Sequence, residues 1–179
     1  MEHDVRIVFT AGTRWISRLI RWALRSPVSH VFIEYPSQAW GGRWAAEATK
    51  GGVRKVQAKK SRHHVKAEFR CKVDLHEGMV QAAKYVGVKY DYTGAFFIGV
   101  VALSWRLLKV KIRHPLRRSS SQFCSEFIAY IFQKAGVQRT AAWDPALSGP
   151  GRLYRFCLKE TDQFAKIEES AEWHTKDSG

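Results

Sequence analysis

A chain of 179 residues fits one domain and can bury about 70% of the surface its unfolded form exposes, so it needs no disulfide staple. Its 3 cysteines, Cys71, Cys124 and Cys157, are odd in number and lack C-x-x-C spacing, which argues against a disulfide framework or a structural zinc site and for a reducing compartment. Lys and Arg outnumber Asp and Glu by 30 to 16, and the net charge of +14 draws phosphates, anionic lipid or acidic polymers to the surface without specifying any chemistry.

The first residues, "MEHDVRIVFT", place acids ahead of Arg6 and lack a long apolar run, so no signal peptide is expected and the chain starts in the cytosol. Residues 5–10 read as a strand. Residues 12–25 read as a helix with Arg14, Arg18, Arg21 and Arg25 on one face and Trp15, Ile16, Leu19, Ile20 and Ala23 on another. The β-branched and aromatic run "VSHVFIEY" (28–35) predicts a strand, and "RWAAEAT" (43–49) follows it across the turn-rich "PSQAWGG". A turn at Lys50-Gly51-Gly52 leads into "VRKVQA". Arg54, Lys55, Lys59, Lys60, Arg62, His63 and His64 form a basic stretch that reads as an exposed loop. Two adjacent histidines without a spaced third ligand make a poor metal site.

A further strand is predicted at 68–73. Asp74 and Glu77 then form a capping-box pattern that opens a helix ending at Gly87. The run "GAFFIGVVALSW" (94–105), closed by Arg106, is too short to span a bilayer and reads as part of a buried helix over 93–108. Arg106, Lys109, Lys111, Arg113, Arg117 and Arg118 follow it. A helix over 122–135, stopped by Gly136, carries the apolar stripe Phe127, Ile128, Ile131, Phe132 and Ala135. The organisation expected is one domain over 1–160 with a polar tail over 161–179. Strands in the first half and helices in the second predict an α+β domain, its antiparallel sheet packed against helices.

Two places carry chemistry. If 28–35 and 43–49 pair with His30 opposite Glu47, Phe32 opposite Ala45 and Glu34 opposite Arg43, an imidazole lies beside a carboxylate. Such a carboxylate orients the ring and raises its basicity, as a general base requires; a half-buried histidine with an incidental acidic neighbour is the other reading. Cys124 falls in the first turn of its helix, where free N–H groups and the positive end of the dipole favour thiolate. A small buried hydrophobe is the alternative there.

In order along the chain, "SPVSHVFIEY", "AAEATKGGV", "GVKYDYTGAF" and "SSSQFCSEFIAYIFQKAGV" resemble the circularly permuted papain-like amidases, or YiiX-like family. These are relatives of the NlpC-type cell-wall peptidases and of the lecithin:retinol acyltransferases. In unpermuted NlpC-type enzymes the cysteine helix precedes the histidine strand; here the histidine comes first, as in the permuted members. The resemblance extends over residues 5–136. It implies a permuted papain-like fold, with Cys124 as nucleophile, His30 as general base, Glu47 as the orienting third member and Tyr90 as a substrate-pocket residue.

The implied activity is that of a cysteine hydrolase cleaving an amide or peptide bond, with cell-wall peptide as one substrate class and no metal or organic cofactor. Unlike the cell-wall enzymes, this sequence has no evident signal peptide or wall-binding module, and it places the basic segment 106–118 just ahead of the cysteine helix. That segment is a candidate contact for an anionic polymer or membrane surface. Two further function classes stay open: a lipid-directed acyltransferase or thioesterase on the same fold, and a non-enzymatic basic binding protein, although no nucleic-acid motif is present.

Overall fold

The computed structural model describes residues 4–49, 51–87, 124–145 and 148–167. In chain order these form β1 (Arg6–Thr10), α1 (Trp15–Ala23), β2 (His30–Pro36), β3 (Arg43–Thr49), β4 (Gly52–Gln57) and, after a 3-10 turn at Ala58–Lys60, β5 (Val65–Cys71). There follow α2 (His76–Ala82), α3 (Cys124–Lys134), α4 (Pro150–Lys159) and β6 (Phe164–Ile167). The six strands make one sheet in the order β4-β3-β2-β1-β5-β6, and every ladder is antiparallel. The α+β expectation therefore holds.

Alternation along the strands gives the sheet two different faces. On one, Ile7, Phe9, Val31, Ile33, Ala46, Ala48 and Phe69 are buried beneath the apolar stripe of α3 and residues of α2 and α4. Burial of this kind, at about 25 cal/mol per Å², is what holds helices of 7 to 11 residues in place, since they are too short to persist alone. The other face carries a smaller apolar patch of Val8, Phe32, Ala45 and Ala58, flanked by charged residues and covered by the connection from β4 to β5.

Three expectations need correction. In the β2–β3 hairpin Glu34 lies opposite Ala45, and Arg43 opposite Pro36, so the register is displaced by two residues from the one expected. The loop sets it: Gly41 and Gly42 take positive φ, the Ser37 N–H donates to the Gly42 carbonyl, and the ladder closes at Pro36–Arg43. The basic stretch 54–64 is only partly a loop, although Arg54, Lys55, Lys59, Lys60, His63 and His64 are exposed as expected. Arg54 lies on β4, Ala58 is buried, and Arg62 is held against the charged face by Glu34 and Glu68. The domain also runs past residue 160, because β6 pairs with β5 and buries Gln163 and Phe164.

Helix α4 was not foreseen; Pro150 begins it at a position that needs no N–H. Asp74 accepts from the His76 N–H while Glu77 accepts from Gln81, so α2 has one capping bond rather than the reciprocal box. Tyr90, the helix expected over 93–108 and the basic segment 106–118 lie outside the described residues. Among the described residues no helix is long and apolar enough to cross a membrane.

Candidate active site

His30 is the first residue of β2, and the pairing of Thr10 with His30 fixes its backbone. Just before it, the Ser29 N–H donates to the Thr10 carbonyl at 2.9 Å. Cys124 opens α3, which packs across β2 and β3 so that its N-terminus reaches the end of the sheet where His30 lies. The thiol and imidazole hydrogen-bond, and backbone N–H groups of Val31 and Ser125 also point at the sulfur.

Glu47 completes the line. Its Oε2 lies 3.1 Å from His30 Nε2, and the carboxylate is 3% exposed. Continuing the observed register puts Phe32 opposite Glu47, so His30 reaches the carboxylate diagonally. The two-residue displacement keeps the pair together because side chains alternate with period two, and an even shift leaves both on one face. The other oxygen, Oε1, accepts from Arg54 Nε at 2.9 Å, Arg54 Nη2 at 2.7 Å and Ser61 Oγ at 2.9 Å.

With Nε2 taken by Glu47, Nδ1 is the ring nitrogen left for the sulfur. Burial pushes the Cys124 thiol up, but the positive charge of His30, its hydrogen bond and the Val31 and Ser125 N–H groups outweigh that and hold it below the ordinary value of 9.0. For His30, burial acts downward; the charge and hydrogen bond of Cys124, then those of Glu47, carry it up to about 10. Burial likewise works against the Glu47 charge, yet His30, Arg54 and Ser61 bring it down to about 2. Each shift leans towards the charged form: thiolate on Cys124, imidazolium on His30 and carboxylate on Glu47.

The structure thus brings together Cys124, His30 and Glu47 and adds two residues not expected at the site, Arg54 and Ser61. Arg54 was legible: a two-residue turn between Thr49 and Gly52 sets Glu47 opposite Arg54 by counting outwards. Ser61 was not, because it arrives from a connection whose path depends on the packing of Ala58 and Arg62. The remaining thiols are different in kind. Burial raises Cys71 to about 12, and burial together with nearby Cys71 raises Cys157.

No protein-family model matches the chain, and no curated protein matches it. Among solved structures it is similar to one described as metalloprotein YiiX from Escherichia coli O157:H7 (DUF1105). The identity is 14% and the TM-score 0.50, over 93% of this chain and 97% of that one. The word metalloprotein belongs to that molecule. Here, among the described residues, no group of three or more His, Cys, Asp or Glu side chains is arranged to hold a metal ion, and the Glu47 carboxylate points at the His30 ring rather than converging with it on a common centre. At this identity the likeness carries the fold alone: an α+β chain with a YiiX-like arrangement.

Proposed function

We propose that the protein is a cysteine hydrolase of circularly permuted papain-like architecture that cleaves an amide or peptide bond through a thioester on Cys124. The observation that carries this reading is the chain of contacts from the Cys124 sulfur through the His30 ring to Glu47 Oε2. The Cys124 thiolate attacks the carbonyl carbon, forming the C–S bond and a tetrahedral oxyanion that first-turn N–H groups of α3 stabilise. The imidazolium gives its proton to the departing nitrogen as the C–N bond breaks. Neutral His30 then takes a proton from water, whose oxygen attacks the thioester; the C–S bond breaks and the ion pair is restored. Glu47, charged throughout, holds the ring orientation and stabilises its positive form. Peptide in the bacterial cell wall is a substrate class consistent with the resemblance to NlpC-type enzymes.

One observation favours a second reading, a lipid-directed acyltransferase or thioesterase. The connection from β1 to His30 exposes the apolar side chains Trp15, Leu19 and Trp22, a surface that suits a lipid substrate.

Alkylation by iodoacetamide near neutral pH tests the nucleophile. Cys124 is expected to react at least about tenfold faster than Cys71 or Cys157, and to lose that advantage in His30→Ala. Equal rates at all three thiols would remove the case for an enzyme and leave a basic binding protein. Incubation with cell-wall peptide fragments and, separately, with phospholipid and acyl-thioester substrates, using Cys124→Ala as blank, then separates the two enzymatic readings.

A further inference from the structure

We propose that α1 is an interfacial helix that docks the protein onto an anionic lipid bilayer, with the His30 end of the sheet facing the membrane. Trp15, Leu19 and Trp22 follow an i, i+4, i+7 spacing and so share one helix face. They are 72%, 45% and 46% exposed; Trp40, Val80, Val86 and Leu158 are exposed too, but they are spread over other parts of the chain, whereas these three form one helix face. With Arg18 they line a shallow open groove of about 520 Å³. Arg14, Arg18, Arg21 and Arg25 recur at three- and four-residue steps along the flank of that apolar face, and no acidic residue occurs between Asp4 and Glu34.

Trp and Leu on one side with arginines at the margin suit the headgroup boundary, where indoles sit at the interface and guanidiniums meet lipid phosphates. The charge also selects the occupant. A second copy of α1 would oppose arginine with arginine, whereas an anionic bilayer supplies phosphate and acyl chain together. Placement adds to this: α1 is the connection between Thr10 and His30, which pair, so a bilayer on α1 lies at the same end of the sheet as the site. The docking does not depend on the hydrolase reading, and it is measured without turnover.

The test is co-sedimentation of the full chain with vesicles of phosphatidylcholine alone and of phosphatidylcholine containing phosphatidylglycerol. Binding is expected to the anionic vesicles, weakening as salt rises. Trp15→Ala/Leu19→Ala/Trp22→Ala keeps every charge and should bind about tenfold more weakly with an unchanged melting temperature, since these side chains are largely outside the core. Arg14→Gln/Arg18→Gln should lose roughly tenfold or more at unchanged stability. Cys124→Ala should bind as wild type, which separates a failure here from a failure of the catalytic reading. Three outcomes overturn the proposal: no association with anionic vesicles, a triple variant that sediments like wild type, or a dimer in gel filtration that the triple variant abolishes, which would assign the face to a second copy.

Discussion

Glu47 is the residue on which site and stability meet. It carries a charge at 3% exposure, tolerated because His30, Arg54 and Ser61 all donate to it. Its folded-state pKa of about 2 lies below the ordinary value of 4.5. A depressed carboxylate contributes stability that is complete above pH 4.5 and is lost as the pH falls from there towards 2. The contribution is about 2 kcal/mol after discounting for the solvent that reaches Arg54, half of whose side chain is exposed. Glu47→Gln should therefore be less stable by about that amount in urea unfolding at pH 7, with the gap narrowing near pH 3. The variant should also alkylate Cys124 more slowly, because the imidazolium that stabilises the thiolate loses its partner. A gap independent of pH would show that the carboxylate charge is not what matters. The residue types at the site were legible because each has a chemical reason to be there. Which donors would surround the carboxylate was not, since Arg54 and Ser61 depend on how strands and connection assemble.

At the scale of elements, the position of Cys124 rests on how α3 is braced. Helix α2 packs against α3 at Gly78, where a Cβ would collide with the Ile131 carbonyl oxygen and lie 3.1 Å from the Ala135 Cβ. Gly78→Ala should force the helices apart and cost about 1–3 kcal/mol by thermal or chemical unfolding, with a slower Cys124 alkylation rate as α3 shifts over His30. A variant as stable as wild type would mean that this contact is not tight. Most elements could be read from the pattern, because the β-branched and aromatic runs of β1 and β2 and the stripe on α3 are strong local signals. The exact pairing of β2 with β3 could not, since any even displacement keeps the same side chains on each face and the loop, with Gly41 and Gly42 at positive φ, chooses among them. The strand β6 was hidden for a related reason: "FAKI" is too short to stand out, and β5 rather than its own sequence makes it a strand.

Across the described residues, Asp4, Glu34, Glu47, Glu68 and Glu160 are committed to ion pairs. Asp4 contacts Arg6, Arg43 and Arg70; Glu68 contacts Arg6 and Arg62; Glu160 contacts Arg139; and Glu34, 1% exposed, lies between Arg43 and Arg62. With 30 basic residues to 16 acidic, such pairing leaves the surplus positive charge facing outward, where it acts on partners rather than on the fold. Glu34 and Glu47 both anchor the β4–β5 connection, through Arg62 and Ser61, so one acid, together with Glu68 on Arg62, helps to secure the segment that supports the other. Removing Glu34 leaves Arg43 with Asp4 and Arg62 with Glu68, both partly exposed, so Glu34→Ala should cost about 1–3 kcal/mol in chemical unfolding. Arg62→Ala on its own should be milder, as the Arg62 side chain is 21% exposed and Glu34 retains Arg43. If the acid and Arg62 act as a unit, the double variant should cost less than the sum of the two by roughly 1 kcal/mol or more. Strict additivity would mean that Glu34 and Arg62 do not act as a unit, and that Ser61 reaches Glu47 without help from that pair.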